Sequence, residues 1–231
     1  MESSPDYINP YYNRLERVKF AVEQLRPFDI NEKRILSIGG GGSRYLQESL
    51  KELNSNATPF EVDFQGDNDL TLNLDKIDKL PFKDESFEFC LLTDVLEHLE
   101  NFHLILNESF RVTETALVIS LPIPSNEFIG ILFNRRHSSR GIEGGIYSKF
   151  YGLPYKKPED RHRWWFTYDD VISFFKNFEK NNSCEITFFS DLPRKGFVHT
   201  LIKPFIPKRI YSNLFYNAIW IVIKKGKEGI N

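Results

Sequence analysis

Cysteine is scarce in this chain. Only Cys90 and Cys184 occur, and both fall in stretches that read as strands, so buried free thiols are expected and a disulfide framework is excluded. Long apolar runs are also missing. The longest towards the end, Ala218 to Ile223, falls far short of the ~20 residues that a spanning helix needs. Met1-Glu2-Ser3-Ser4-Pro5-Asp6 shows neither the basic region nor the apolar core of a secretory leader. These absences predict a cytoplasmic protein, in which the Asn-x-Ser/Thr triplets at Asn56, Asn107 and Asn181 carry no meaning. No charge surplus exists either: 30 basic residues stand against 32 acidic ones, so a global field for nucleic acid is not expected. There is no internal repeat and no low-complexity tract. What remains, 231 residues with a hydrophobic fraction of 41%, suits one large soluble domain.

Glycine, by contrast, is concentrated. Gly39-Gly40-Gly41-Gly42 follows directly on the apolar run Ile35-Leu36-Ser37-Ile38. A buried strand running into bare backbone forces a sharp turn and leaves peptide N–H groups open to a ligand. Arg44 to Leu50 then reads as a helix beginning at the same spot. Strand, glycine loop and helix make the nucleotide-binding opening of a doubly wound α/β domain. A second strand, Ala57 to Val62, ends at Asp63. An acid at that place accepts hydrogen bonds from the ribose hydroxyls of an adenosine cofactor, and its distance from Gly39 agrees with the roughly 20-residue expectation.

The glycine spacing separates the adenosine cofactors. Gly-x-Gly-x-x-Gly fails from Gly39, where Arg44 takes the last place, and from Gly40, where Tyr45 does. A Walker loop, Gly-Lys-Ser/Thr, is absent. The pattern is nearer Gly-x-Gly-x-Gly, with Gly39, Gly41 and then Ser43. Further along come Leu80-Pro81-Phe82-Lys83-Asp84-Glu85-Ser86-Phe87, Thr93-Asp94-Val95-Leu96-Glu97-His98-Leu99, and Arg111-Val112 followed by Thr115 to Pro122. In this order, over Arg34–Pro122, the chain resembles the class I S-adenosylmethionine-dependent methyltransferases of the type 11 kind. The resemblance implies S-adenosyl-L-methionine as cofactor, wrapped at its methionine part by the loop. It departs in two places. Ser37 stands where the family usually has an acid that helps hold the loop and the cofactor's amino group, and Ser43 stands where a third glycine is usual. A non-catalytic relative that keeps the fold and binds the cofactor is therefore a second reading. A dinucleotide oxidoreductase is a third, disfavoured by the glycine spacing.

The remaining pattern outlines the sheet. Tyr12–Leu25 has a helical apolar period and is expected to pack on the core and to roof the cofactor. Leu70–Leu74 reads as the third strand, Phe87–Thr93 as the fourth and Thr115–Leu121 as the fifth, with a helix over Phe102–Val112 between the last two. Thr167–Phe178 reads as a helix capped by Thr167; Cys184–Ser190 and Asn217–Lys224 read as closing strands. The fold that the resemblance implies is Rossmann-like α/β, a seven-stranded mostly parallel sheet with an antiparallel C-terminal hairpin and helices on both faces. It forms one domain over 1–231, with an N-terminal helix at about 12–26 and an insertion at about 122–166 of the length that functional lids have.

Ligands in such sheets sit outside the carboxyl ends of the strands. That rule collects the cofactor-binding candidates Gly39, Gly40, Gly41, Asp63, Leu74, Asp75, Thr93 and Asp94 on one rim. The resembled family often places an acid after the third strand near the adenine amino group, which implies that role for Asp75, with Asp78 competing; Leu74 and Leu80 either sandwich the adenine or pack in the core. Asp94 is expected at the methionine end or at the acceptor. His98 is a candidate base, although in the resembled family that position more often buttresses the following helix. His162, in Asp160-Arg161-His162-Arg163-Trp164-Trp165-Phe166, is an acceptor-side candidate. No metal site is expected.

Residues 135–163 interleave Arg135, Arg136, Arg140, Lys149, Lys156, Lys157, Arg161 and Arg163 with Tyr147, Phe150, Tyr151 and Tyr155. Cations beside aromatic faces suit an anionic sugar. The block is loosely similar to insertions in methyltransferases of bacterial surface-polysaccharide synthesis, so a small-molecule or glycan acceptor is expected. RNA is the rival acceptor and ranks lower, because no separate RNA-binding module is visible. Near the end, Ile210, Tyr211, Leu214 and Phe215 share a face flanked by Lys203, Lys208 and Arg209. That segment either caps the closing hairpin or touches a membrane peripherally. The oligomeric state is not legible.

Overall fold

The computed structural model describes residues 13–125, 162–190 and 203–226. Seven strands form one sheet: β1 (Arg34–Ile38), β2 (Thr58–Asp63), β3 (Leu70–Thr71), β4 (Phe87–Thr93), β5 (Thr113–Pro122), β6 (Cys184–Ser190) and β7 (Ala218–Lys225). Their spatial order is β3-β2-β1-β4-β5-β7-β6. The first five run parallel. β7 slots antiparallel between β5 and β6, as expected of the closing hairpin. The order reverses between β1 and β4, which opens a crevice at their carboxyl ends.

Among the described residues there are five helices: α1 (Arg14–Glu23), α2 (Tyr45–Glu52), α3 (Phe102–Val112), α4 (Tyr168–Asn181) and α5 (Lys208–Phe215). The period-2 alternation of the central strands splits their apolar side chains between two cores. Ile35, Phe89, Leu91, Val118 and Trp220 pack with α1 and α2. Leu36, Ile38, Leu92, Ile119 and Ile221 pack with α3 and α4 on the other face. The Cys90 thiol is fully buried in β4 and burial pushes its pKa far up; Cys184 in β6 is also free.

One expectation changes. The third strand is only two residues long, because the Asn73 side chain accepts the Asp75 N–H and turns Leu74–Lys76 into a 3-10 turn. Leu80 is fully buried in the core. α4 begins with the expected cap: Thr167 and Asp170 form a reciprocal capping box. α5 docks on the start of α4, where Asn213 Oδ1 accepts the Tyr168 N–H at 2.7 Å and Arg209 pairs with Asp169 at 2.5 Å. The segment thus packs against α4. Most of the insertion at 122–166, with its basic and aromatic residues up to Arg161, lies outside the described residues. No described helix is long and apolar enough to cross a membrane.

Candidate cofactor and active site

The glycine loop leaves β1 at once. The Gly39 N–H donates to the Val62 carbonyl at 2.7 Å. Gly39, Gly41 and Gly42 hold φ of +69°, +97° and +61°, the left-handed region that favours glycine. Internal packing makes two of them obligatory. A Cβ on Gly39 would lie 2.4 Å from Val95 Cγ2, and one on Gly42 would lie 2.2 Å from the Gln65 carbonyl oxygen. The loop is thus wedged between the turns that follow β4 and β2. At Gly41 the neighbour is different: the Arg14 guanidinium, on α1, comes within 2.5 Å of an added Cβ. α1 therefore brings a cation onto the bare loop, in keeping with its expected place over the site.

Asp63 closes the loop from the side. One carboxylate oxygen accepts the Gly41 N–H at 2.8 Å and the other accepts the Phe64 N–H at 2.7 Å. The side chain is buried at the end of β2. A carboxylate offers about four lone-pair sites, so acceptor capacity remains on both oxygens.

A second carboxylate, which sequence reasoning missed, stands behind the loop. α2 starts at Arg44, whose φ is +54° and whose side chain makes no cap; its guanidinium turns instead to Asp67 and Asp69, at 3.1 and 2.7 Å. The open N-terminal turn of α2 is served by Glu61 of β2, whose Oε1 accepts the Gln47 N–H at 3.3 Å. Glu61 is only 3% exposed, and that burial raises its carboxyl pKa. In the sheet register Glu61 pairs with Ser37. The acid that the family pattern places at 37 is thus absent there, while a carboxylate stands on the adjacent strand. The signal was a lone acid inside the apolar run Phe60-Glu61-Val62.

Beyond β4, Thr93 is buried at the strand end and Asp94 adopts a left-handed φ of +53°. A non-glycine residue in that region is held there by its surroundings. The Asp94 N–H donates to Ser120 Oγ at 3.0 Å, the Ser120 hydroxyl donates back to Oδ1 at 2.5 Å, and Arg17 of α1 pairs with Oδ2. Asp94 so joins α1 to β5 across the crevice. Asp75 Oδ1 accepts the Glu100 N–H at 2.9 Å, and Arg163 lies 3.6 Å from Oδ2. Leu74 is buried in the core. Asp78 is exposed.

The two histidines singled out separately prove to be neighbours. His98 and His162 meet edge to face with ring centroids 4.4 Å apart. Glu97 lies with them: its Oε1 is 3.5 Å from His98 Nε2 and 3.9 Å from His162 Nε2. The approach is enforced by the backbone. The Arg163 and Trp164 N–H groups both donate to the Glu97 carbonyl, at 2.8 and 3.3 Å. Arg163 Nε donates to the His98 carbonyl at 2.8 Å, and Trp164 Nε1 to the Leu99 carbonyl at 2.5 Å. Next to this clamp a cavity of about 200 Å³ opens between α3, α4 and residues 164–166, lined by Phe102, Leu121, Trp164, Trp165, Phe166 and Phe174.

Comparison with known proteins bears on the fold and on the first half of the chain. The family model for the methyltransferase domain matches residues 36–116. A search of curated proteins finds no match. Among solved structures, the plantazolicin methyltransferase BpumL, crystallised with a monoazolic desmethylPZN analog and SAH, is 14% identical with a TM-score of 0.58, covering 95% of this chain and 86% of that one. A SAM-dependent methyltransferase from Archaeoglobus fulgidus is 15% identical with a TM-score of 0.52, covering 91% and 94%. A putative S-adenosylmethionine dependent methyltransferase from Listeria monocytogenes is 13% identical with a TM-score of 0.51, covering 93% and 100%. At such identities the solved structures speak for the fold alone, and the family match speaks for the domain. Residues 36–116 are thus similar to the methyltransferase domain, and the chain shares the fold of the S-adenosylmethionine-dependent methyltransferases among these solved structures.

Proposed function

We propose that the protein binds S-adenosylmethionine across the glycine loop and Asp63, and transfers its methyl group to a small-molecule or glycan-type acceptor in the cytoplasm. The observation that carries this reading is the coupling of loop and carboxylate, Gly41 N–H to Asp63, beside the Arg14 guanidinium. The residues fit the cofactor. Asp63 keeps acceptor capacity for ribose hydroxyls, and Arg14 suits the carboxylate of an amino-acid moiety. Glu61 answers the missing acid at Ser37 by holding the junction of loop and α2. Thr93, Asp94 and Asp75 would line the remainder of the crevice.

When bound, the cofactor supplies an already activated methyl group. The chain has to hold the acceptor atom in line at near-attack distance and exclude water. The aromatic cavity beside Trp164 and Trp165 supports an acceptor with a flat apolar face, such as a sugar ring, and the basic stretch at 135–163 supports an anionic one, with surface-polysaccharide synthesis as the setting. His98 and His162 are the candidates for taking a proton from an acceptor hydroxyl.

Titration calorimetry with S-adenosylmethionine, S-adenosylhomocysteine and NAD tests the cofactor. The two sulfur compounds are expected to bind and NAD is not; the reverse order would overturn the reading. Release of S-adenosylhomocysteine is then followed on nucleotide-sugar, glycan and RNA fractions. Turnover on RNA alone would replace the acceptor class. Binding without turnover on any fraction would favour the non-catalytic reading that Ser37 and Ser43 motivate.

A further inference from the structure

We propose that Glu97, His98 and His162 form a binding site for one divalent first-row transition ion, placed to hold the acceptor oxygen. The ion site stands on its own geometry; only its use in catalysis rests on the methyl-transfer reading.

Two imidazole nitrogens and one carboxylate oxygen are a donor set suited to such ions. The three donor atoms all lie within 4.8 Å of one another. Donors bound at about 2.1 Å around a tetrahedral ion stand about 3.4 Å apart, so small side-chain rotations close the gap. The set is also assembled on purpose by the fold. His162 arrives from the far side of a long segment and is pinned by Arg163 and Trp164 to the carbonyls of Glu97, His98 and Leu99. Outer contacts of that kind orient metal ligands. Burial sets the orientation of the cluster. The Glu97 and His162 side chains are 1% and 5% exposed, whereas His98 keeps 19%, so the outward edge of the cluster is that of His98.

The position fits a role in the reaction. Val95, two residues before Glu97, is the side chain against which Gly39 is wedged. An ion there would lie beside the crevice and lower the pKa of a bound acceptor hydroxyl. With His98 and His162 engaged as ligands, neither takes the proton as a base: the hydroxyl proton leaves to solvent, the oxygen–methyl bond forms as the sulfur–methyl bond breaks, and S-adenosylhomocysteine departs.

The rival account is an imidazolium–carboxylate cluster that binds no ion. Full-length protein is stripped with EDTA and titrated with ZnCl2 and with MnCl2 by calorimetry, with metal content read by plasma mass spectrometry. Glu97→Gln, His162→Gln and the control His103→Gln are compared, with circular dichroism as the check of folding. The expected result is one ion per chain, unchanged in His103→Gln, with affinity falling in the other two by more than the roughly 10–100-fold that loss of an outer partner costs. Folded wild-type protein that takes up neither metal, or equal uptake in wild type and His162→Gln, would overturn the proposal. S-adenosylhomocysteine affinity is measured alongside: ion uptake without it defeats the methyl-transfer reading and leaves the ion site standing.

Discussion

Single residues carry the cofactor end of this site. Asp63 and the glycines were legible because a bare-backbone turn and an acid at the end of the next strand are chemical signatures that survive without tertiary information. The structure adds why Asp63 has to be an acid: both oxygens accept backbone N–H groups. Asp63→Asn would present an amide N–H to one of those donors. Leaving a buried donor unpaired costs about 1–3 kcal/mol, so urea denaturation is expected to show a loss of that size, with S-adenosylhomocysteine affinity reduced at least about tenfold by calorimetry. Glu61 makes a different prediction. Burial raises its pKa in the folded state, so the folded chain keeps this proton longer than the unfolded chain does. Its contribution to stability is full below the ordinary glutamate pKa and is lost as pH rises through the raised value. The stability of wild type relative to Glu61→Gln is therefore expected to fall between pH 5 and pH 8. An equal or rising difference in denaturation curves at the two pH values would contradict this placement of the carboxyl.

At the scale of elements, α3 is fastened to the approach to β4 by one arginine. Arg111 donates to the Phe82 and Leu80 carbonyls, at 3.0 and 3.3 Å, and to the carboxylates of Glu108 and Asp84, both at 2.6 Å. Glu108 in turn accepts the Leu80 N–H at 2.7 Å. The Leu80-Pro81-Phe82 motif, read from the sequence as the entry to the fourth strand, is thus a loop that α3 grips from below. Arg111→Ala is expected to lose about 2–3 kcal/mol, the scale of hydrogen bonds to charged groups. The Arg111 guanidinium holds the Glu108 and Asp84 carboxyls below the ordinary carboxylate range. That stabilisation is present above the unfolded pKa values and is lost as pH falls through the depressed folded ones. The difference in melting temperature between wild type and Arg111→Ala is accordingly expected to be large at neutral pH and to shrink in acid. The strand reading failed only at Leu70–Leu74, where the alternation of apolar residues was real but the Asn73 side chain competed for the backbone.

Taken as a whole molecule, the chain reverses its strand order between β1 and β4, the place proposed for the ligand, with α1 reaching over through Arg14 and Arg17. A ligand held by β1, β2, β4 and α1 together binds only the folded sheet. Saturation with S-adenosylhomocysteine at 100 times its Kd is therefore expected to add about 2.7 kcal/mol, seen as a rise of several degrees in Tm that NAD does not produce. Periodicity and motif chemistry alone determined the α/β class, the glycine loop and the acid at 63, because each depends on residues close in sequence and on backbone rules that act locally; the parallel order came with the family resemblance that those motifs carry. Only the tertiary structure decided that Glu61 faces the end of α2, that Arg14 lies on Gly41, that Asp94 is shared between α1 and β5, and that His98 and His162 stand together with Glu97. Those pairings join residues that are not neighbours in sequence, and it is the packing of helices and loops on the sheet that brings them together.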